Sequence, residues 1–423
     1  MLPAILLFAV TYVLMLIFSK YRPYIALASG LIFVATGMLP LGKILGAIDF
    51  NVILMIAGTM GLVALFTESK MPALMADLIM EKVPNVKWAA VSLSLFAGII
   101  SAFVDNVATV LMIAPVALAI CKKLKVNPVP FIIAIAVSSN LQGAATLIGD
   151  TTAIMLGSAL DMSFIEFFWY NGKPSIFFAV ELGAVISALI LFVIFRKEKA
   201  PIEKSAERTK VTDLVPTALL VVALALLILA SFIDGKPATT NGLICCGLLV
   251  IGLIYTLIKN KKFSAVISPL KEIDFTTIGI LLGLFLMIGG ITEAGVIDAI
   301  GKYLSTLGGG NVFLIYTVIV WGSVVISAFI DNIPYVATMI PVIGSLAATL
   351  GVDPTPLYFG LLSGATLGGN CTPIGASANI TGIGILRKEG CEVKNRDFFR
   401  IGIPFTLAAI VPAYIYIWLV YGV

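Results

Sequence analysis

The hexapeptide SAFVDN occupies residues 101–106, and the nearly identical SAFIDN occupies residues 327–332. Each copy places an aspartate and an asparagine inside a strongly apolar stretch, and the copies lie 226 residues apart in a chain of 423. Burying a carboxyl group among apolar residues is costly unless the group is paired or neutralised. Two such groups in matched settings predict a chain of two repeated halves, with an ion site where the halves meet.

Apolar segments of about 20 residues, the length that crosses a bilayer as a helix, recur along the chain. Hydrophobic residues make up 60% of the sequence and charged residues only 12%, which is too little polar surface for a soluble domain of this size. The segments predict an all-α polytopic membrane protein, because a β-barrel would show short alternating strands. Residues 2–18 lack a basic start and a cleavage site, so we interpret them as a retained helix.

A shift of 225 or 226 residues superimposes matched residues of the two halves. The matched pairs include Asp49 and Asp274, Gly58 and Gly283, Pro115 and Pro341, and Gly149 and Gly375. We predict a first repeat over residues 1–197, a linker over residues 198–210 and a second repeat over residues 211–423. The linker is charged and contains a proline, which is typical of an exposed segment.

Ten apolar segments are candidate transmembrane helices. They cover residues 3–19, 24–40, 50–67, 129–159 and 174–195 in the first repeat, and residues 213–233, 239–258, 274–291, 354–386 and 401–421 in the second. The segments around the two hexapeptides differ, because their first arms have only about 14 residues, short for a span. We expect re-entrant hairpins that enter and leave on one side, with the polar tip buried in protein.

The distribution of basic residues predicts the sidedness. With five crossings per repeat, 23 of the 27 lysines and arginines fall on one face, and the exceptions are Lys43, Lys173, Lys236 and Lys302. By the positive-inside rule, the linker and the basic loops are cytoplasmic and both termini are outside, in the plasma or inner membrane of a prokaryotic cell.

Five is an odd number of crossings, so the second repeat should be inverted relative to the first, as in many transporters. We then expect the first hairpin tip to be reached from the cytoplasm and the second from outside.

Two broken helices accompany the hairpins. Residues 138–152 read SSNLQGAATLIGDTT and residues 363–379 read SGATLGGNCTPIGASAN, and glycine and proline disfavour a continuous helix there. Unwound backbone can offer carbonyl groups to a cation and helix ends to an anion. The candidate ion- and substrate-binding residues are Asp105, Asn106, Thr109, Asn140, Gly143, Thr146, Gly149, Asp150 and Thr151 in the first repeat, and Asp331, Asn332, Thr338, Asn370, Thr372, Gly375, Ser377 and Asn379 in the second.

The candidate set contains acids but no basic residue. Asp105, Asp150 and Asp331 have no lysine or arginine within the same tip or break, so their obvious partners are H⁺ or a small metal ion such as Na⁺. Bound Na⁺ would lie at Asp105 and Asn106 and at Asp331 and Asn332. The alternative role for either tip aspartate alone is a helix cap, which this residue type favours.

Gly149 and Gly375 follow equivalent T-x-I segments in the two breaks. We expect their backbone to approach the bound ion. Alanine at either position should favour a continuous helix by about 1 kcal/mol and should weaken ion binding, because carbonyl groups inside a helix no longer face the site.

The sequence contains no histidine, and its five cysteines lack the spacing of metal ligands. These absences disfavour a metalloenzyme, and no G-x-x-x-x-G-K-[ST] motif suggests ATP drive. We expect a protein that is not an enzyme, uses no cofactor besides H⁺ or Na⁺ as coupling ion, binds no nucleic acid and requires no ATPase subunit. Its partners would be the lipid bilayer and a small ion substrate.

The stretches SAFVDNVATVLMIAPV and SAFIDNIPYVATMIPV, with the two G-x-x-T-x-I-G breaks, resemble the ion-transporter superfamily. The chain looks most similar to the branch of arsenite permeases and NhaD sodium/proton antiporters, which also includes the melanosomal P protein. The divalent anion:sodium symporters resemble it more distantly. The resemblance covers nearly the whole chain and implies two re-entrant hairpins, two broken helices, a central site, a homodimer and an elevator-type motion.

The hairpin tips depart from the pattern of the dicarboxylate carriers in this superfamily. Those carriers have Ser-Asn-Thr motifs that bind Na⁺ and substrate carboxylates, whereas this chain has Asp105-Asn106-Val107 and Asp331-Asn332-Ile333. The acids would repel an anion unless they were neutralised. This difference disfavours dicarboxylate transport.

The leading hypothesis is a secondary active transporter in which Asp105 and Asp331 bind H⁺ or Na⁺ and exchange it for a small ion or a neutral oxyacid such as arsenite. The alternative is Na⁺-coupled symport of inorganic or organic anions, held by serine, threonine and asparagine groups of the breaks. An ion channel is a third, less favoured possibility.

Overall fold

The computed structural model describes residues 1–202, 208–307 and 309–422. Twenty α-helices dominate this part of the chain. The N-terminal half contains α1 Leu2–Ile17, α2 Arg22–Ala35, α3 Ile44–Ala47, α4 Phe50–Glu68, α5 Met71–Met80, α6 Val86–Ser101, α7 Asn106–Leu124, α8 Val129–Gln142, α9 Thr151–Ala159 and α10 Ile176–Ile194.

The C-terminal half repeats this order of helices. It contains α11 Val215–Ala230, α12 Thr240–Asn260, α13 Ser264–Lys271, α14 Phe275–Glu293, α15 Val296–Leu307, α16 Val312–Ser327, α17 Asn332–Leu350, α18 Thr355–Gly368, α19 Ser377–Lys388 and α20 Asn395–Tyr421. Short 3₁₀ turns, Gly143–Ala145 and Gly369–Cys371, follow α8 and α18 respectively. A small antiparallel hairpin, β1 Trp169–Tyr170 and β2 Lys173–Pro174, precedes α10. Each helix of one half thus has a counterpart ten helices later.

Equivalent helices exchange partners between the halves. Helix α4 packs along α12, and its counterpart α14 packs along α2. A Cβ atom on Gly58 of α4 would lie 2.6 Å from the carbonyl carbon of Cys245, and a Cβ on the equivalent Gly283 would collide with the backbone of Ala26. The matched glycines therefore allow two matched close crossings. Each half thus packs a long helix against the second helix of the other half, as expected for two related halves.

Among the residues that the structure describes, seven helices are long and apolar enough to cross a membrane by length and composition: α4, α7, α10, α12, α14, α17 and α20. Five of them coincide with predicted spans, while α1, α2 and α11 are shorter apolar helices. Helices α7 and α17, the predicted second arms of the hairpins, have 19 residues each. Each continues through an internal proline, Pro115 or Pro341.

Helices α8 and α18 lie at the centre of the molecule. Almost every residue of α8 and all 14 residues of α18 are buried, whereas α1 and α11 expose many large apolar side chains. A helix that is apolar all round and buried all round belongs to the interior of a large helical protein. The first break and most of the second are therefore inside the protein, where irregular backbone is tolerated, and Ile374 of the second break is exposed.

Candidate functional site

Each hairpin tip is a tight turn between two helices, and its aspartate caps the second of them. Asp105 Oδ1 accepts hydrogen bonds from the backbone N–H groups of Val107 at 3.0 Å and Ala108 at 3.1 Å. Asp331 Oδ1 accepts from the N–H of Ile333 at 3.2 Å. Both aspartates are therefore helix caps. Because these bonds use only Oδ1, they leave Oδ2 of each carboxyl for another role.

The two tips differ in their charged neighbours. Arg22 Nη1, at the start of α2, lies 3.6 Å from Asp331 Oδ2. The expectation that the matched acids lack a basic partner is therefore wrong for Asp331. The pairing joins residues that are far apart in sequence, so inspection of the hexapeptide alone could not show it.

A cavity of about 420 Å³ lies beside the first tip, where the end of α4 meets the start of α14. Five acidic residues line it: Glu68, Asp105, Asp150, Glu272 and Asp274. No lysine or arginine occurs among the lining residues that the structure describes. Several carboxylates in one partly enclosed space repel each other, and they favour bound cations or protons.

Polar groups from both halves line the same cavity. They are Asn106 and Thr151 from the first half and Asn332 and Ser377 from the second. Val107 and Ile333, one from each tip, also line it. In this conformation residues of the two tips share one cavity. The side of the membrane from which each tip is reached stays a prediction.

The first break brings carbonyl oxygens together around a glycine. A Cβ atom on Gly149 would lie 2.5 Å from the carbonyl oxygen of Gly143, 2.8 Å from that of Ala102 and 2.9 Å from that of Ser101. The hydroxyl of Thr146 donates to the carbonyl of Ala102. The break is thus fastened to the C-terminal end of α6, where the helix carries partial negative charge.

The second break has the same construction. A Cβ atom on Gly375 would lie 2.5 Å from the carbonyl oxygen of Gly369, 2.8 Å from that of Ser327 and 2.9 Å from that of Ala328. The hydroxyl of Thr372 donates to the carbonyl of Ala328. Only glycine fits this close approach in either break. The expectation that alanine would simply favour a helix there is wrong, because the added methyl group would overlap three oxygens.

A buried amide network connects the first tip to both breaks. Asn106 Nδ2 donates to Asn140 Oδ1 at 2.9 Å, and Asn140 Nδ2 donates to Asn370 Oδ1 at 3.1 Å and to the carbonyl of Thr366 at 2.7 Å. Asn370 Nδ2 in turn donates to the carbonyl of Val137 at 2.9 Å. Asn140 and Asn370 are fully buried, so they hold the tip and the breaks in register from behind the cavity.

Asp150 occupies the N-cap position of α9 at the cavity wall. Thr152 Oγ1 lies 3.1 Å from Asp150 Oδ2 and 3.0 Å from Thr366 Oγ1. This pair of threonines links the acid to α18 of the other half. Neither threonine was among the predicted site residues.

The remaining predicted residues support the breaks or lie elsewhere. Asn379 Nδ2 donates to the carbonyl groups of Gly369 at 3.1 Å and Thr372 at 3.2 Å and so stabilises the second break. Thr109 is buried, and its hydroxyl lies 3.5 Å from the carbonyl of Val104. Thr338 is hydrogen-bonded to Tyr12 of α1 and does not line the cavity.

Three cavity acids were missed in the predicted set: Glu68, Glu272 and Asp274. The sequence held a signal for two of them, because Glu68 matches Glu293 and Asp274 matches Asp49 under the repeat shift. Within the described parts of the chain, no group of three or more His, Cys, Asp or Glu side chains is arranged to hold a metal ion.

A helical bundle with two capped hairpins, two broken helices and an acidic cavity between its halves defines a polytopic membrane transporter. The model of a family described as citrate transporter, CitMHS, matches residues 12–261 and 247–423. The chain therefore belongs to the citrate transporter family. It is an integral membrane protein.

Relatives and a solved structure agree with this assignment. The chain is 34% identical over 328 residues to a 46 kDa membrane protein of Mycobacterium leprae, covering 76% of this chain and 74% of the relative. It is 30% identical over 433 residues to an uncharacterized transporter of Mycobacterium tuberculosis, with 99% of both chains covered. The match to human P protein is 26% identical over 444 residues and covers 86% of this chain and 52% of P protein.

The crystal structure of the YdaH transporter of Alcanivorax borkumensis, reported to have an unusual topology, has a similar fold. The TM-score is 0.61 at 15% identity, and the match covers 93% of this chain and 89% of that one. These findings confirm the resemblance to the ion-transporter superfamily that includes P protein.

Proposed function

We propose that this protein is a secondary active transporter coupled to H⁺ or Na⁺, with the coupling ion bound beside Asp105 and Asp150. The observation that carries the proposal is a single cavity in which five acidic side chains meet both hairpin tips and the start of α9. Ionised carboxylates inside a membrane protein must be paired or neutralised. Since no described lining residue is basic, a mobile cation supplies the missing charge.

Exchange is the simplest use of such a site. H⁺ and Na⁺ compete for the same carboxylates, so the site binds only one of the two ions at a time. Alternate exposure of the site to the two sides then produces antiport of H⁺ or Na⁺ against a small ion. A neutral oxyacid such as arsenite also fits, because it is not repelled by the acids and can hydrogen-bond to Thr151, Asn332 and Ser377 at the cavity wall.

Cation-coupled symport of a citrate-like anion is the second candidate, and the family match favours it. The cavity sets a physical condition for this activity. An anion that enters a space lined by five acidic side chains must be accompanied by cations that neutralise them. Citrate uptake should then require Na⁺ or another cation and should rise steeply with its concentration.

We further propose that the chain consists of two inverted repeats and that this conformation faces the cytoplasm. Glu68 and Glu272 at the cavity edge adjoin Lys70 and Lys271 in sequence, on the face that the positive-inside rule makes cytoplasmic. A homodimer with an elevator-type motion, implied by the superfamily resemblance, would carry the tips from this face to the other.

The test measures coupled flux of purified protein in liposomes. Asp105→Asn and Asp331→Asn should each reduce ²²Na⁺ uptake driven by a pH gradient, and citrate uptake driven by Na⁺, to the level of protein-free liposomes. The amide keeps the shape but cannot cycle a proton and binds a cation poorly. Glu392→Gln, at an exposed loop position, is the matched control and should transport normally.

Normal rates in both aspartate variants, with unchanged dependence on pH and Na⁺, would refute the coupling role. Flux of one ion in the absence of any second gradient would instead indicate a channel.

A further inference from the structure

The two hairpin tips have nearly identical hexapeptides but are held differently. The first tip lines the acidic cavity. The second tip is held by α1 and α2: the hydroxyl of Tyr12 donates to the carbonyl of Pro334 at 2.6 Å, and Arg22 Nη1 lies 3.6 Å from Asp331 Oδ2. Only the second tip therefore has a fixed cation beside its acid among the residues described.

Helix packing, which departs here from the shift of 225 residues, shows which residue corresponds to Arg22 in the other half. The close crossings place Ala26 against Gly283 and Cys245 against the equivalent Gly58. Counting back four residues from each contact makes Asn241 the counterpart of Arg22. One half therefore carries a cation at this position and the other carries a neutral amide.

Asn241 is not among the residues that line the cavity beside the first tip. It is 7% exposed and lines a different cavity, of about 740 Å³, together with Asp49. Asp49 caps the start of α4, at the opposite end of that helix from Glu68. The contact between Arg22 and Asp331 consequently has no present counterpart at Asp105, and it distinguishes the two tips in this conformation.

We propose that Arg22 is a tethered cation that occupies the ion position at Asp331 in this conformation and competes there with H⁺ or Na⁺. The inference rests on the proposed coupling role of the tip aspartates. Movement of the second tip away from α2 withdraws Asp331 from Arg22 and leaves its carboxylate for the coupling ion. Arg22 thus prevents both tips from holding a coupling ion at once while the tips share one cavity.

The geometry suits an exchangeable partner. Arg22 Nε donates to the carbonyl of Met15 at 3.1 Å, which holds the guanidinium near the second tip. The distance to Asp331 Oδ2 exceeds that of a charge-assisted hydrogen bond, and the two side chains are 25% and 21% exposed. A loose, partly exposed ion pair is weak, so a free cation can replace it.

Asp331 is also within electrostatic reach of Asp274, the cap of α14, which lines the acidic cavity. The charged groups that act on Asp331 from the neighbouring helices are Arg22 on α2 and Asp274 on α14. Tyr12 on α1 is another titratable group at the second tip, where it donates to the carbonyl of Pro334. Removing the charge of Arg22 would leave two carboxylates near each other. Their mutual repulsion would then favour a bound Na⁺ or proton at Asp331.

The test uses the purified full-length protein and measures thermal stabilisation by two cations. Na⁺ is titrated against choline at constant ionic strength, and H⁺ is titrated between pH 8 and pH 5. In Arg22→Gln the Na⁺ concentration that gives half-maximal stabilisation should fall about three- to tenfold. If the coupling ion is H⁺, the proton concentration at half-maximal stabilisation should fall by the same factor, so the midpoint moves to higher pH. The double variant Arg22→Gln/Asp331→Asn should lose this gain.

Two further variants separate charge from structure. Arg22→Lys keeps the charge, so its Na⁺ and H⁺ titration midpoints should stay close to those of the wild type. This variant keeps the test usable if Arg22→Gln folds poorly. Lys43→Gln removes a different exposed ion pair, which joins Lys43 to Glu293 at 2.6 Å, and it should leave both titrations unchanged. Two results would overturn the inference. One is that cations stabilise Arg22→Gln with the same midpoints as the wild type, and the other is that Arg22→Lys shows the shifted midpoints expected of Arg22→Gln.

The outcomes also distinguish this inference from the proposed function. If Asp105→Asn and Asp331→Asn abolish coupled flux while Arg22→Gln titrates normally, the coupling role stands and Arg22 is only structural. If neither aspartate variant affects flux, the coupling role fails, and a shifted titration in Arg22→Gln would show only that the arginine competes with cations.

Discussion

The two breaks are alike, whereas the two hairpin tips are not. Gly149 and Gly375 each have three backbone oxygens at nearly the same distances, and a threonine fastens each break to the preceding hairpin. The tips, by contrast, place Asp105 in an open acidic cavity and Asp331 beside Arg22. Matched local geometry thus comes with unmatched surroundings.

The difference suggests which parts move. The breaks are built from backbone contacts inside each half, so they should keep their geometry in every state. Besides their bonds to α8 and α18, the tips contact helices α1, α2, α4 and α14, and these contacts cross between separate parts of the bundle. Conformational change should therefore alter the contacts of the tips and leave the breaks intact.

The largest effect is expected from chemical labelling of the tips. Val107 and Ile333 line the same cavity, so cysteines at both positions should react with a membrane-impermeant thiol reagent from one side only, the cytoplasmic side. The background lacks the five native cysteines, and each single variant is labelled in sealed vesicles of both orientations. Labelling of the two positions from opposite sides would show that the tips do not share this cavity.

The symmetry of the breaks is tested by Gly149→Ala and Gly375→Ala. The added methyl group would lie 2.5–2.9 Å from three carbonyl oxygens in either break, and such overpacking costs about 1–3 kcal/mol. Both variants should unfold at lower temperature in detergent, by similar amounts. Gly247→Ala on α12 is the matched control, because a Cβ there meets nothing within 4 Å. A large difference between the two break variants would contradict their equivalence.

Mutation of the amide network should destabilise the protein less, and the loss should be larger at Asn140 than at the equivalent residue of the other half. Asn140→Ala would leave Asn106 Nδ2 and Asn370 Oδ1 without their partner, at a cost of about 1–3 kcal/mol for buried unsatisfied groups. The repeat places Thr366 opposite Asn140, and Thr366→Val removes only a hydroxyl bonded to Thr152. Denaturant titration should therefore show a much larger loss of unfolding free energy for Asn140→Ala than for Thr366→Val. Equal destabilisation would mean that the network does not depend on Asn140.

Much of the local structure could be predicted from the sequence. The repeat shift, the capping aspartates and the breaks at Gly143–Ala145 and Gly369–Cys371 all follow from patterns within short segments. Helix caps and helix-breaking glycines act over a few residues, so a single sequence contains their signals.

The surroundings of the site could not be predicted in the same way. The partner of Asp331 is Arg22, and the partner of Thr338 is Tyr12, each in a distant helix. The crowding around Gly149 also depends on the carbonyl groups of α6, which meet it only in the folded protein. Intrinsic helix propensity gave the wrong sign for alanine there, because a tertiary overlap outweighs a preference of about 1 kcal/mol.

The smallest effect is expected at the contact that holds the second tip to α1. Tyr12→Phe removes a hydroxyl that donates to the carbonyl of Pro334 at 2.6 Å and pairs with Thr338. The Thr338 hydroxyl still donates to that carbonyl at 2.9 Å, so no buried acceptor is left unpaired. The cost should be about 0.5–1.5 kcal/mol of unfolding free energy.

If Tyr12 holds the second tip in the shared cavity, its loss should also change the rate at which a cysteine at Ile333 is labelled, while a cysteine at Val107 reacts as before. Tyr24→Phe is the control, since Tyr24 is 70% exposed and should affect neither measurement. Equal changes at Val107 and Ile333 would mean that the tips move together, and that the contact with α1 does not distinguish them.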